Sequence, residues 1–168
     1  MKKRTVPPSP DRDECLAMAR LCLSANLRRT ERLITRHYDS YLEPVGVTAV
    51  QLPMLAMIAT AASPTFRLLT EQLELDRSTL SRNLALLQRL GYIEIGAPLG
   101  PKPGPIKLTR KGRNVLRDAH EQWQLAHRAL LKLLDDDSYS AGMTFLKRLR
   151  GNARTVQGKV SPNAPPAH

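Results

Sequence analysis

The segment LDRSTLSRNLALLQRLG (residues 75–91) contains the clearest structural signal in the chain. Asp76 is a favourable N-cap residue and Gly91 supplies a C-terminal stop, so the segment predicts one short helix. Its apolar positions recur at helical spacing and are Leu80, Leu84, Leu87 and Leu90. The stripe opposite them holds Ser78, Arg82 and Arg89. We therefore predict a helix that packs its leucines inward and presents serine and arginine outward.

The residues on either side of this helix complete a winged helix-turn-helix. A shorter helix is predicted near residues 67–74, with Leu69 and Leu73 facing inward. Residues 92–95 and 106–108 predict two short strands, and the Pro- and Gly-rich residues between them can form only a projecting loop. Two short helices joined by a tight turn and followed by a hairpin match a helix-turn-helix with a two-stranded wing.

Longer helices flank this winged region. Residues 13–42 contain no Pro or Gly and repeat apolar side chains at helical spacing, which predicts one long amphipathic helix that Pro44 and Gly46 end. The other predicted helices run from Thr48 to about Ala62, from Thr109 to about Leu134 and from about Ser138 to Arg150. The predicted fold class is mainly α: a winged helix-turn-helix with a two-stranded β wing and long N- and C-terminal helices.

The charge of the chain points to a polyanionic partner. Lys and Arg number 26 against 15 Asp and Glu, which gives a formal net charge of +11 at pH 7. A solvated basic surface would give the same total, so the positions of the charges must separate the two explanations. Basic residues outnumber acidic ones around the winged region; they are Arg67, Arg77, Arg82, Arg89, Lys102, Lys107, Arg110, Lys111 and Arg113. This is where a DNA-binding protein needs its charge.

The first turns of the residue 75–91 helix carry side chains suited to duplex DNA. Small residues there let the backbone approach phosphates, and Ser78, Thr79 and Ser81 add hydroxyl donors. Arginines add positive charge and the reach to contact base edges. The candidate DNA-binding residues are Arg77, Ser78, Thr79, Ser81, Arg82, Arg89, Lys102 and Lys107. The alternative for the arginines is an ordinary solvated helix face.

Other classes of function find little support. The sequence shows no Gly-rich phosphate loop, no cluster of metal ligands and no nucleophile paired with a base, so we expect no enzyme activity, no cofactor and no metal site. His120 and His127 lie seven residues apart without a third ligand nearby. The longest apolar run, Leu52–Ala62, is too short to span a membrane, and the basic N-terminus lacks an apolar signal core. We expect a cytoplasmic protein with no membrane partner.

Several segments resemble the multiple-antibiotic-resistance-regulator (MarR) family. They are residues 42–48 (LEPVGVT), 75–84 (LDRSTLSRNL), 90–93 (LGYI) and 106–112 (IKLTRKG), together with Leu87. The resemblance covers about residues 13–150 and implies a winged helix-turn-helix transcriptional regulator. It further implies a homodimer whose first and last helices intertwine, two recognition helices that read a pseudo-palindrome, and effector binding between the dimerisation and DNA-reading parts.

Two positions depart from the family pattern. The family usually carries Asp-x-Arg in the wing, with the arginine in the minor groove, whereas the tip here reads GPKPG (residues 100–104), so only Lys102 can take that part. The family also tends to have Gly where Glu74 stands, and a non-Gly residue is unfavourable in a turn that requires positive φ.

The terminal helices independently favour dimerisation. They are too long to fold back on one small winged domain, so their apolar stripes need a second chain. The predicted parts are a disordered basic arm at residues 1–12, a helical dimerisation region at 13–47 and 109–150, a winged helix-turn-helix DNA-binding domain at 48–108, and a disordered tail at 151–168.

Two groups of residues are candidates for sensing a signal. Cys15 and Cys22 lie seven residues apart, so on one continuous helix they share a face about 10.5 Å apart along the axis and cannot bond to each other. They are either small buried residues of a dimer interface or sites of a dimer-spanning disulfide, an oxidant-reactive thiol, or a metal or metalloid. From where the family binds effectors, the candidates for a small-molecule pocket are Arg28, Tyr38, Gln51 and Met54.

These observations favour a transcriptional regulator that binds double-stranded DNA in a sequence-specific manner. The predicted protein is a repressor that binds a pseudo-palindromic operator as a homodimer and is released by a small-molecule or oxidant effector. The alternative is a basic architectural or nonspecific nucleic-acid-binding winged-helix protein. A protein-interaction module built on the long helices is a second alternative, and the excess charge around the winged region argues against it.

Overall fold

The computed structural model describes residues 9–61, 64–97 and 104–159, and it confirms a mainly α fold with a two-stranded wing. The helices are α1 (Arg12–Leu21), α2 (Leu23–Leu42), α3 (Gln51–Thr60), α4 (Phe66–Leu73), α5 (Arg77–Arg89), α6 (Arg110–Leu131) and α7 (Asp136–Lys159), with a 3-10 helix at Glu43–Val45. The strands β1 (Ile93–Ile95) and β2 (Ile106–Leu108) are antiparallel. The chain divides into two compact units, Met1–Trp123 and Gln124–His168. Among the described residues, no helix combines the length and hydropathy that crossing a membrane requires.

The hydrophobic core of the first unit confirms the leucine pattern of α5. Leu80, Leu84 and Leu87 are all buried. The strand register places Ile93 opposite Leu108, and both of these side chains are buried as well. The other core residues are Leu42, Val47, Met54, Leu55, Ile58, Leu69, Tyr92, Ile106 and Ala119. The buried face of α5 therefore determines which of its side chains point away from the protein.

The region between residues 13 and 42 forms two helices, so the prediction of one continuous helix is wrong. Cys22 separates α1 from α2 with an extended backbone (φ −62°, ψ 108°). The side-chain amide of Asn26 donates to the carbonyl oxygens of Arg20 at 2.8 Å and of Cys22 at 3.0 Å. In a continuous helix, a backbone N–H would donate to the Arg20 carbonyl; here the Asn26 side chain donates instead. Cys15 and Cys22 consequently do not share one helix face.

Side-chain caps mark the start of two helices as predicted. The N–H of Thr48 donates to Oε1 of Gln51 at 3.1 Å, and the N–H of Gln51 donates to Oγ1 of Thr48 at 3.3 Å. This reciprocal pair satisfies backbone groups at the beginning of α3. At the beginning of α6, the N–H of Gly112 donates to Oγ1 of Thr109 at 2.9 Å. Both caps precede the first residue that is fully helical.

The N-terminal arm, expected at residues 1–12, ends earlier than predicted because α1 begins at Arg12. Asp11 and Glu14 form a capping box, in which each side chain accepts a hydrogen bond from the other residue's backbone N–H. Residues 1–8 of the expected arm lie outside the described part of the chain.

In the second unit, the helix α7 corrects the predicted start of the tail at Gly151. The helix continues through residues 151–159, where we expected disorder. Asp135 caps its first turn by accepting from the N–H and the hydroxyl of Ser138, each at 2.7 Å. A glycine inside a helix costs only about 1 kcal/mol, and no proline follows Gly151 before Pro162. Residues 160–168 lie outside the described part of the chain.

Candidate nucleic-acid interface

Asp76 organises the N-terminus of α5, as predicted. Its carboxylate accepts hydrogen bonds from the hydroxyl of Ser78 at 2.6 Å, the hydroxyl of Thr79 at 2.7 Å and the backbone N–H of Thr79 at 2.8 Å. These bonds, led by the one from the Ser78 hydroxyl, hold the pKa of Asp76 well below its ordinary value. The carboxylate therefore stays ionised at the positive end of the helix dipole.

The same cap changes what Ser78 and Thr79 can do. The sequence predicts that both hydroxyls donate to DNA phosphates, but in the structure both donate to Asp76. Because a hydroxyl has one hydrogen, each must leave the cap before it can donate to a phosphate. Ser81 lies on the next turn and is exposed. Of the three hydroxyl candidates, Ser81 therefore needs the least rearrangement to reach DNA.

The outward face of α5 carries more candidates than the sequence reasoning named. The exposed residues of this helix are Arg77, Ser78, Ser81, Arg82, Ala85, Gln88 and Arg89. Our prediction omitted Ala85 and Gln88, because it selected charged and hydroxyl-bearing side chains. Their spacing of four and seven residues from Ser81 is the signal that could have identified them.

Two arginines of α5 are held by neighbouring side chains. Nη2 of Arg82 donates to Oγ1 of Thr79 at 3.2 Å. The guanidinium carbon of Arg77 lies 5.5 Å from the ring centroid of Phe66, in a cation–π contact with the first residue of α4. Arg82 thus stays on the outward face of α5, whereas Arg77 is drawn toward α4.

The turn between α4 and α5 has the left-handed geometry that the family pattern implies. Glu74 has φ 52° and ψ 35°, and its N–H donates to the carbonyl of Thr70. The N–H of Leu75 donates to the same carbonyl at 3.3 Å. These bonds satisfy a carbonyl at the end of α4, so the chain can turn directly into α5 although a non-Gly residue occupies the position.

The basic residues that follow the wing hold the module together. Nζ of Lys111 donates to the carbonyl of Leu90 at 2.9 Å and lies 5.2 Å from the ring centroid of Tyr92. Nη1 of Arg113 donates to the carbonyl of Leu108 at 2.8 Å. From the sequence, we counted both residues among the positive charges available to DNA. In the structure these two side chains instead connect α6 to the end of α5 and to β2.

The wing places one predicted contact on the surface. Lys107 is exposed on β2 and lies opposite Glu94 of β1 in the register. A hydrogen bond of 2.9 Å from the N–H of Gly96 to the carbonyl of Pro105 extends the pairing of the two strands. Lys102, the candidate at the wing tip, lies outside the described part of the chain. Only Lys107 of the two wing candidates therefore has a defined position.

The sensor candidates are distributed over α1, the junction at Cys22, α2 and α3. Cys15 and Cys22 are exposed in the single chain. Arg28 and Tyr38 both belong to α2, on which ten residues span about 15 Å. Met54 is fully buried in the core, and Gln51 is 6% exposed. Within the described residues, no group of three or more His, Cys, Asp or Glu could hold a metal ion.

Sequence comparison relates the chain to regulators of known name. The model of the MarR family matches residues 45–100. The chain is 29% identical over 139 residues to the multiple antibiotic resistance protein MarR of Salmonella typhimurium. The aligned residues cover 82% of this chain and 93% of that protein. The MarR protein of Escherichia coli K12 matches with the same identity and the same coverage.

Solved structures extend the similarity to three dimensions. The transcriptional regulator MosR of M. tuberculosis superposes with a TM-score of 0.72 at 28% identity, covering 82% of this chain and 98% of that chain. A Cys-to-Ser mutant of MarR from E. coli, solved in complex with operator DNA, gives a TM-score of 0.69 at 27% identity, covering 84% and 99%. The similarity therefore includes the helices that flank the winged region.

Proposed function

We propose that the chain is a winged helix-turn-helix transcriptional regulator of the MarR family, to whose members its sequence and fold are similar, and that it binds specific sequences of duplex DNA with α5 in the major groove. Both the family and the fold are those of DNA-binding regulators, not of enzymes. One similar structure is a complex with operator DNA. In this proposal, residues 48–108 are the DNA-binding domain.

The outward face of α5 is the observation that supports the proposal most directly. The helix buries Leu80, Leu84 and Leu87. It leaves Ser81, Arg82 and Arg89 exposed. A major groove about 12 Å wide admits one α-helix and brings such a face to the base edges. We assign Arg82 to a base edge. Arg77, Arg89, Lys107 and the wing-tip Lys102 contact phosphates and position the helix, and Ser78, Thr79 and Ser81 supply further polar contacts.

The proposed assembly is a homodimer formed through residues 13–47 and 109–150. In the first unit, Leu16, Met18, Leu21 and Leu23 are 40% to 81% exposed. In the second unit, Leu133, Met143 and Phe145 are 45% to 82% exposed. Large apolar side chains left in water mark surfaces for protein contact. Two-fold symmetry then sets the recognition helices about 34 Å apart and makes the operator a pseudo-palindrome.

The proposed regulator represses transcription and is released by an effector. A dimer bound to an operator blocks other proteins from the same groove and phosphates, so repression is the direct consequence of binding. Among the pocket candidates, Gln51 lines a surface cleft of about 460 Å³ together with Asp39 and Thr48. The exposed thiols of Cys15 and Cys22 are the alternative point of entry for a signal, as targets of an oxidant.

Selection of bound fragments from a random duplex pool tests this function. The affinity for an enriched sequence, measured by fluorescence anisotropy at two salt concentrations, is expected to exceed that for random duplex by about a thousandfold or more. Equal affinity for all duplexes would favour the architectural alternative. Repeating the titration with peroxide and with aromatic acids tests release, and an affinity that no treatment lowers would overturn the effector part of the proposal.

A further inference from the structure

Ala85 lies near the centre of the outward face of α5. Within this helix, all of whose residues are described, it is the only exposed apolar residue. Arg82 precedes it by three positions and Arg89 follows it by four, so both arginines flank it on the same face. If these arginines contact DNA, the Ala85 side chain faces the floor of the groove between them.

A shallow apolar cleft adjoins Ala85. The cleft has a volume of about 150 Å³ and runs between α5 and the wing. Its apolar walls include Ala85, Phe66, Ile95 and Ile106, and Ser81 and Gln88 of α5 add polar groups. The apolar part of these walls makes no hydrogen bonds to base edges, but removing a methyl group from water against it lowers the free energy. One of the proposed DNA contacts, Ser81, lies in the wall of this cleft.

The chemistry of the major groove offers one partner that fits. Thymine alone among the four bases presents a methyl group there. An alanine side chain has neither donor nor acceptor, so it can distinguish bases only through such an apolar contact. The simplest alternative is that Ala85 serves only to favour the helix, and in that case binding would be indifferent to the methyl group.

We propose that Ala85 is a specificity-determining residue that packs against the C5 methyl group of a thymine in the major groove, with the adjoining cleft receiving that methyl. The inference rests on the proposed function, because it requires α5 to enter the groove. Arg82 contacts a neighbouring base edge, and Arg89 holds the helix against the phosphates. Ala85, between them, selects thymine over cytosine at the pair that it faces.

Replacement of single thymines by deoxyuridine in the enriched duplex tests the contact, because deoxyuridine lacks only the C5 methyl group. One position in each half-site is expected to show an affinity loss of about threefold to fourfold, the effect of one buried methyl group. At the same position, 5-methylcytosine is expected to bind more tightly than cytosine. A duplex whose affinity no such replacement changes would overturn the role of Ala85.

Variants of the protein identify which residue makes the contact. In Ala85→Gly, the penalty for deoxyuridine is expected to disappear. The matched control is Ala59→Gly, at an exposed alanine in the last turn of α3, which should keep the full penalty. Because glycine weakens helices, Ala85→Ser is the second variant; it preserves α5 better and sets a hydroxyl against the methyl, so the penalty should again shrink. Circular dichroism verifies that each variant is folded.

The outcomes separate this inference from the proposed function. A pool that yields no enriched sequence overturns the proposed function, and the role of Ala85 falls with it. An enriched sequence whose deoxyuridine penalty is the same in the parent, Ala85→Gly and Ala85→Ser leaves the proposed function intact and assigns the methyl contact to another residue.

Discussion

The carboxylate of Asp76 carries three hydrogen bonds at the N-terminus of α5. They hold its pKa in the folded protein below the ordinary aspartate value of about 3.9. A lowered pKa contributes stability that is fully present above the ordinary value and is lost as the pH falls from there toward the folded value. We therefore expect Asp76→Asn to lower the Tm more at pH 7 than at pH 3, as followed by circular dichroism.

The hydroxyl of Ser78 provides the control for this prediction. It makes the largest contribution to the lowered pKa of Asp76. Ser78→Ala should therefore reduce the difference in Tm between the two pH values while leaving the carboxylate in place. An equal loss of Tm at pH 7 and pH 3 in Asp76→Asn would contradict the stabilising role of the charge.

Glu74 holds a left-handed backbone conformation, with φ 52°, that non-Gly residues rarely adopt. Glycine adopts it without strain at Cβ, so Glu74→Gly is expected to raise the free energy of unfolding by about 1 kcal/mol in urea denaturation. Gln72→Gly, at an exposed position inside α4, is the matched control and should lower the same quantity by about 1 kcal/mol. Destabilisation by both variants would be incompatible with a left-handed turn at Glu74.

Elements with local signals could be predicted from the sequence. The cap at Asp76 and the leucine spacing located α5, and the hairpin followed from two short apolar runs around a Pro-rich loop. The break at Cys22 could not be predicted in this way, because it depends on the Asn26 side chain bonding to the Arg20 carbonyl. Apolar periodicity continues across such a break and conceals it.

The candidate site, too, could be predicted only where its signals are local in sequence. Leucine periodicity correctly indicated which face of α5 points outward. It could not indicate that Lys111 and Arg113 bond to backbone carbonyls of Leu90 and Leu108, because those contacts join elements distant in sequence. Charge counted along a chain therefore overestimates the charge that is free to meet DNA.

The start of α6 packs directly against the backbone that enters the wing. A Cβ atom added to Gly112 would lie 1.9 Å from the carbonyl oxygen of Tyr92. Because backbone cannot move aside like a flexible side chain, Gly112→Ala is expected to cost about 3 kcal/mol of unfolding free energy. Gly142→Ala is the control: a Cβ there would have no neighbour within 4 Å, so helix propensity should stabilise by about 1 kcal/mol. Equal urea midpoints for the two variants would contradict this packing.

Discrimination by α5 depends on Arg82 in the proposed function. Arg82→Ala is expected to weaken binding to the enriched duplex by about 1 to 3 kcal/mol and binding to random duplex by less, if the side chain reads a base edge. Arg12→Ala removes the same charge at the exposed start of α1 and should change both affinities by a similar, smaller amount. A uniform loss in Arg82→Ala would assign its guanidinium to a phosphate.

At the level of the whole molecule, total charge and specificity have different origins. The net charge of +11 attracts any polyanion and gives binding that weakens with salt. Selection among sequences depends on the few side chains of α5 that reach base edges. A symmetric pair of chains would double those contacts within one complex. The proposed dimer therefore binds a matching operator with a higher affinity than either chain alone.

Leu21 offers a test of that pairing. Its side chain is 81% exposed at the end of α1. In a monomer this large apolar side chain would remain in contact with water, which is unfavourable. If a second chain covers it, Leu21→Lys buries a charge in the interface and should raise the dimer dissociation constant at least about tenfold in sedimentation experiments, about 1.4 kcal/mol.

Val50→Lys adds the same charge at a residue that is 43% exposed before α3 and should leave the dimer intact. Since an added lysine by itself strengthens attraction to DNA, a fall in operator affinity in Leu21→Lys alone, with its circular dichroism spectrum unchanged, indicates lost pairing. A parent chain that binds its operator at concentrations where it sediments as a monomer would contradict the dimer.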